Sequence, residues 1–375
     1  MLVQPPRPAR PFVRRRTAPT LLAAILLPLV AAAQTPPVAT PPAATSDAPA
    51  TATPPTIAAV LYSTRGDEKV HLLSLPDLKP LHVYDAGAGA HELAISADGR
   101  YALGSAYGGP GKGHQPADHR VFVLDLPSGK RSRMVDLGTS KRPNDLGFVG
   151  ATTTALLTTE VPAQLVRLDA ATGAFTAFAL EHKTNHMLAL APDGSACFVS
   201  HVLPGGVTRF DLATNKATAH AAVPDGAEGI ACVARGERMQ LWIGCNRSSK
   251  LVVVDAATLQ VVHEVARDGF PLRVKASPDG AQVAVSCPLS GEVVLYDAND
   301  VTKAKSLDLG KELARKAAPT SLGFAPDGKQ LLVVVDGDAQ QIVAIDPKTV
   351  QVTAKVAAAG PIADALVAGM VQAPR

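Results

Sequence analysis

LVVVDAATLQ, residues 251–260, is one copy of a phrase that recurs along the chain. The others are VFVLDLPSGK (121–130), LVRLDAATGA (165–174), VTRFDLATNK (207–216), VVLYDANDVT (293–302) and IVAIDPKTVQ (342–351). Each copy is an apolar run, an aspartate, a turn and the start of another run. The aspartates at 125, 169, 211, 255, 297 and 346 are separated by 44, 42, 44, 42 and 49 residues. A period near 40 to 50 marks either a propeller blade or a helical solenoid unit. The runs are short, rich in Val, Leu and Ile, and lack a 3.6-residue period, which selects strands.

A second phrase precedes the first in most repeats: ISADGRYAL (95–103), LAPDGSACF (190–198), ASPDGAQVA (276–284) and FAPDGKQLL (324–332). Asp-Gly between apolar runs is a hairpin signal, because glycine accepts positive φ without steric cost. Each unit therefore holds strand A, a tight turn, strand B, a variable loop, strand C, the aspartate turn and strand D, the four strands of one blade. Runs such as Leu331-Leu332-Val333-Val334-Val335 are continuously apolar, which implies burial on both faces between neighbouring blades.

Six complete units begin near His91, Asn144, His186, Glu228, Leu272 and Thr320. Residues 57–86 supply strands B, C and D without an A, and residues 363–371 read as a lone strand A. Joining the two completes a seventh blade and removes exposed strand edges. The expected fold is an all-β, seven-bladed propeller of four-stranded antiparallel blades, closed by its N- and C-terminal strands over residues 57–375.

The SPDG-type turns, the apolar-Asp-x-x-Thr phrase and the stretch Trp242-Ile243-Gly244-Cys245-Asn246 before Leu251-Val252-Val253-Val254-Asp255 resemble the YVTN-repeat β-propeller family of exported proteins, also described as lactonase-like. The resemblance runs from about residue 57 to 371. Most blades lack the namesake Tyr-Val-Thr-Asn, and the second repeat (VGATTTALL) lacks the Asp-Gly turn. The resemblance implies the fold and no single activity.

Ahead of the repeats, Arg7, Arg10, Arg14, Arg15 and Arg16 precede the apolar run Leu21–Val30 and Ala31-Ala32-Ala33, the layout of a cleavable signal over residues 1–33. The apolar run is too short to span a membrane. Residues after the arginine pair are Thr17, Ala18 and Pro19, so the general export route is expected over the twin-arginine route. Residues 34–56, almost wholly Pro, Ala and Thr, read as a disordered linker. Removal of the leader takes 5 of the 36 basic residues and leaves a net charge of −2. That balance excludes the electrostatic footprint of a nucleic-acid binder. The reading is a periplasmic or secreted monomer with no membrane span. Cys197, Cys232, Cys245 and Cys287 are widely spaced in strand-like runs and form no CxxC or CxxCH, so neither zinc nor attached haem is implied and no cofactor is expected. Export permits disulfides, but buried free thiols are the expectation.

Strand direction sorts the loops: A–B and C–D turns share the bottom face, B–C loops and D-to-A crossovers the top. Asp98, Asp193, Asp279, Asp327 and the strand C aspartates then serve turn geometry. The strand A entrances place His91, Glu92, Asn144, Asp145, His186, Glu228 and Arg273 around the mouth of the central channel, where polar groups from several strands converge. The insertion at 106–119 (AYGGPGKGHQPADH) reads as a flap carrying His114 and His119, and His201 falls in another top loop. GGPGKG lacks the Lys-Ser/Thr pair of a phosphate loop and enters a strand. His91, His186 and Glu228 have metal-ligand chemistry, and His186 with Glu228 has that of an acid/base pair for lactone or ester hydrolysis. No GxSxG nucleophile is present. Two functions follow. The first is a binding scaffold for a small molecule or cell-envelope protein. The second is a periplasmic enzyme, either a lactonase-like hydrolase or the propeller subunit of a quinoprotein-type dehydrogenase.

Overall fold

A computed structural model of the chain describes residues 54–109, 116–236 and 238–375. The signal segment, most of the Pro/Ala/Thr-rich stretch and His114 lie outside the described residues. Seven four-stranded antiparallel sheets follow one another along the chain. The innermost strands are Glu92–Ile95, Lys141–Phe148, Asn185–Leu190, Ala227–Arg235, Val274–Ala276 and Ala317–Phe324 in blades 1 to 6. In blade 7 the innermost strand is Ile362–Gln372, paired with Thr56–Thr64 in register from Thr56↔Gln372 to Thr64↔Ile362. Each innermost strand packs on the next, and Ile362–Gln372 packs on Glu92–Ile95, so the ring closes. The first strand begins at Thr56, and Pro55 O accepts a hydrogen bond from Ala373 N at 3.0 Å. The expected seven-bladed propeller is the observed fold. Helix is confined among the described residues to one five-residue turn, Leu309–Leu313, and two short 3-10 turns.

The continuous apolar runs follow from packing between blades. Strand residues alternate faces, and in blade 1 Phe122 and Leu124 join Leu61, Leu72 and Tyr84 of blade 7. Val121 and Val123 join Leu157, Val166 and Leu168 of blade 2. Both faces are therefore core, and the sheet has no solvent side until its outermost strand. Gly104 has a packing reason, since a Cβ there would fall within the Phe122 ring.

The repeated aspartates do the local work expected of them. Asp98, Asp193, Asp279 and Asp327 accept from the backbone N–H two residues on, at 2.9–3.0 Å. Asp169, Asp211 and Asp255 accept from both the N–H and hydroxyl of the threonine three residues on. In blade 2, which lacks the Asp-Gly turn, Thr152 Oγ1 takes the place of the carboxylate and accepts from Thr154 N at 3.2 Å. The cysteines are free thiols, and burial pushes all four up. No helix among the described residues is long and apolar enough to cross a membrane.

A serine or threonine near the top of strand B fastens the site-bearing strands. Ser63, Thr158 and Ser200 donate to the backbone carbonyls of Ala90, His186 and Glu228, each in the following blade. At the corresponding place in blade 4 stands Gly244, where a Cβ would lie 2.8 Å from Pro271 O. The mouth residues are thus pinned blade to blade by their main chain.

Ending the chain after Gly360 removes Ile362, Leu366 and Val371 from the core, a loss of roughly 5–9 kcal/mol at about 1.5–3 per side chain. That is comparable to the whole stability of a typical domain. The expected result is loss of a cooperative thermal transition by calorimetry.

Candidate functional site

The first residues of the innermost strands form two tiers at the top of the channel. His91, Asn144, His186 and Glu228 take equivalent places in blades 1 to 4; Glu92, Asp145 and Arg273 follow one residue deeper in blades 1, 2 and 5. Equivalent positions on adjacent blades converge, so variety here, unlike variety on an outer strand, becomes a network.

In the first tier His186 Nε2 lies 2.8 Å from Glu228 Oε1. Its Nδ1 faces Asn144 Nδ2 at 2.6 Å, with Glu160 Oε1 3.5 Å away. Asn144 Nδ2 also donates to Glu160 Oε1, and Asn246 Nδ2 donates to Glu228 Oε2. Tyr107 donates to Glu160 Oε2 at 2.8 Å. In the second tier Arg273 reaches across the channel: Nη2 is 2.6 Å from Glu92 Oε1, and Nη1 is 3.8 Å from Glu228 Oε1. Both Arg273 and Glu92 are buried. Removing one partner of such a pair strands the other charge, at about 3–5 kcal/mol.

Burial alone pushes the His186 imidazole down, but the carboxylates of Glu228 and Glu160 outweigh it and raise it to about 9. Glu228 is the mirror case: burial raises it, and His186, Arg273 and Asn246 hold it down to about 2. Glu160 is likewise held below the usual carboxylate range. His186 is therefore an imidazolium at neutral pH. A protonated Nδ1 needs an acceptor, and the Glu160 carboxylate, with Oε1 at 3.5 Å, supplies it.

His91 is the opposite of His186. Burial, followed by the Arg273 charge, depresses it to about 4. Its ring lies 4.6 Å from that of Tyr107, and no described residue hydrogen-bonds either ring nitrogen. The mouth thus holds one charged imidazole locked between carboxylates and one neutral imidazole with its nitrogens open.

Asp145 has a different task. Its Oδ2 accepts from Leu188 N at 3.0 Å and its Oδ1 from Leu146 N at 2.9 Å, so it ties blade 2 to blade 3. His119 is apart from the mouth, with Nε2 3.4 Å from Asp136 Oδ1 at the end of an outermost strand. His201 belongs to a separate trio on the blade 3 rim. His182 stacks on His220 at 3.4 Å, and His201 lies 5.3 Å from His182 and 5.6 Å from His220. His201 is buried and held neutral, and its Nε2 engages Thr208 Oγ1 at 2.7 Å. The grouping of His91, His186 and Glu228 as metal ligands is not realised. Both ring nitrogens of His186 are occupied, and among the described residues no three His, Cys, Asp or Glu are placed to hold a metal ion.

Glu160, Tyr107, Arg142 and Asn246 complete the site without having stood out as candidates. Glu160 is the penultimate residue of strand B of blade 2, Thr154–Val161; Tyr107 is the second residue of the long insertion, and Arg142 packs 4.8 Å from the Tyr107 ring centroid. Asn246 follows Cys245 in the stretch that carried the family resemblance, where it read as repeat instead of site.

Fold and site together define a seven-bladed propeller whose channel is capped by a charged, cross-linked polar network. The family model described as the cytochrome D1 heme domain matches residues 205–364, less than half of the chain. The hydrazine synthase structure from Kuenenia stuttgartiensis matches with a TM-score of 0.63 at 14% identity, covering 74% of this chain and 89% of that one. No curated protein matches the chain. The matched family stretch brings Glu228 and Arg273 to the mouth but neither His91 nor His186. Its own histidines, His220 and His263, sit on the outermost strands Lys216–Ala222 and Val261–Ala266. Arg273 crosses the channel axis in direct contact with Glu92. The matched stretch brings no histidine to the mouth that could ligate a haem iron.

Because folded His186 lies above its reference value of 6.5, it stabilises the fold fully below pH 6.5 and loses that contribution as pH rises through 9. Glu228→Gln removes the main counter-charge. The expected outcome is a fall of the His186 midpoint by at least 1 unit, roughly, read by 15N NMR, with loss of the alkaline stability slope.

Proposed function

We propose that the chain is an exported propeller of the enzyme type, in which the channel mouth performs proton transfer on a small polar substrate. The observation that carries this reading is the opposite tuning of two neighbouring imidazoles. Sites that push like groups apart in titration separate a base from a charge-stabilising acid. His91 is neutral and open at physiological pH, which suits a general base acting on a bound water or an acidic C–H. His186, fixed as an imidazolium by Glu228 and Glu160, supplies a permanent positive charge beside it. The other groups of the tier hold this arrangement: Asn144 and Asn246 orient the carboxylates, and Arg273 fixes Glu92 and Glu228.

Water activated by His91 is sufficient for opening a lactone or cleaving a simple ester, and that reaction needs no serine nucleophile. The family resemblance to lactonase-like propellers supports this class. The likeness to a cytochrome D1 heme domain and to hydrazine synthase supports an enzymatic setting more than an inert platform. The leader at residues 1–33 supports placement in the periplasm or outside the cell, and the linker a tethered propeller.

The test is hydrolysis of γ-butyrolactone and of p-nitrophenyl acetate by the mature chain. His91→Ala is expected to lower turnover by roughly 100-fold or more with an unchanged melting temperature, and wild-type activity to be flat above about pH 5, where the base is already neutral, and to fall as the His186 imidazolium loses its proton near pH 9. Absence of turnover on every lactone and ester tried, or equal rates for His91→Ala, returns the protein to the binding-scaffold reading.

A further inference from the structure

Arg142 faces no described carboxylate, and the described contact of its guanidinium is with Tyr107. It is half-buried at the start of the innermost strand of blade 2, its guanidinium 4.8 Å from the Tyr107 ring, and the other side of this small cluster is the open imidazole of His91. Its Nη1 is buried with no acceptor among the described residues, and with none of them does it form an ion pair. The nearby carboxylates are occupied. Asp118, whose backbone O accepts from Arg142 N at 2.8 Å, gives its side chain to Arg120 through contacts of 2.7–3.2 Å. Glu160 gives its two oxygens to Asn144 and Tyr107. Arg142 also has φ of +55°, the left-handed conformation that Thr184, Gly226 and Phe270 adopt at the same place in blades 3 to 5, so the backbone here is that of the repeat and the side chain alone is particular to blade 2.

A guanidinium N–H buried without an acceptor is costly unless a ligand oxygen completes it. Arginine is the residue whose planar fork fits a carboxylate or oxyanion in two parallel hydrogen bonds. We infer that Arg142 and the edge of Tyr107 form an anion subsite beside His91, which holds a carboxylate or similar oxyanion of the substrate. This rests on the mouth being a ligand site as proposed above and adds the charge class of what enters it: an acid, whose reacting centre is set next to His91 by its anchored end. A lactone or ester bearing a carboxylate is the substrate form that satisfies both.

The experiment is calorimetric and NMR titration of the mature wild-type chain with propionate, succinate, inorganic phosphate and, as a control for general ionic effects, chloride. Saturable carboxylate binding that shifts the His91 ring signals, weakened roughly 10-fold or more in Arg142→Gln and less in Arg142→Lys, supports the subsite with an organic acid as its ligand. Equal or tighter binding of phosphate with the same Arg142 dependence supports it with an inorganic oxyanion. No anion binding to wild type, or equal binding to Arg142→Gln with an unchanged melting temperature, overturns it. His91→Ala separates this proposal from the catalytic one. Anion binding retained there with hydrolysis lost supports both, whereas binding retained without any hydrolysis by wild type supports the subsite alone.

Discussion

The pairing of Ile362–Gln372 with Thr56–Thr64 is the constraint on which the rest of the molecule depends. Each blade buries both faces against its neighbours, so an open arc would leave two apolar sheet faces in water. Joining the chain ends in one sheet turns seven mutually dependent sheets into a ring with no free edge at its seam. It also fixes the angle at which seven innermost strands approach the axis, and that approach creates the mouth.

Once the strands converge, charge decides what the mouth contains. Arg273 reaches Glu92 across the axis, and Glu228 serves both Arg273 and His186. These groups come from blades 1, 3, 4 and 5, so the electrostatics belong to the closed ring and to no blade. The same network explains why the two imidazoles titrate in opposite directions. Carboxylates flank His186 directly, while His91 has the Arg273 charge nearby and an aromatic ring alongside. The main-chain hydrogen bonds from Ser63, Thr158 and Ser200 hold the strand entrances in place, which keeps this contrast from relaxing.

The matched cytochrome D1 heme stretch and the hydrazine synthase structure share architecture with this chain, and the mouth is where divergence shows. The residues that distinguish the site, His91, Asn144 and His186, precede the matched stretch. A propeller changes its chemistry at strand entrances and top loops while its blades stay the same. That separation explains how a ring can be recognisable while its imidazoles, its Arg142 on Tyr107 and its Arg273 bridge are its own.

Strands, turns, blade number and ring closure were legible from the sequence, because they arise from local chemistry repeated at a constant period: Asp-Gly hairpins, aspartate turns and apolar runs of strand length. The strand A entrances were legible for the same reason, since position in the repeat assigns His91, Asn144, His186, Glu228 and Arg273 to one end of the channel. Their partners were not. Glu160, Tyr107 and Arg142 lie on a strand B end, an insertion and a strand start, and only the ring brings them within hydrogen-bond or stacking distance. Asp145 faces a neighbouring backbone, and His119 an outer-strand aspartate, for a like reason. Repeat register specifies where a main chain runs, but side-chain pairing across an axis depends on distances between residues from tens to nearly two hundred positions apart, and those exist only after closure.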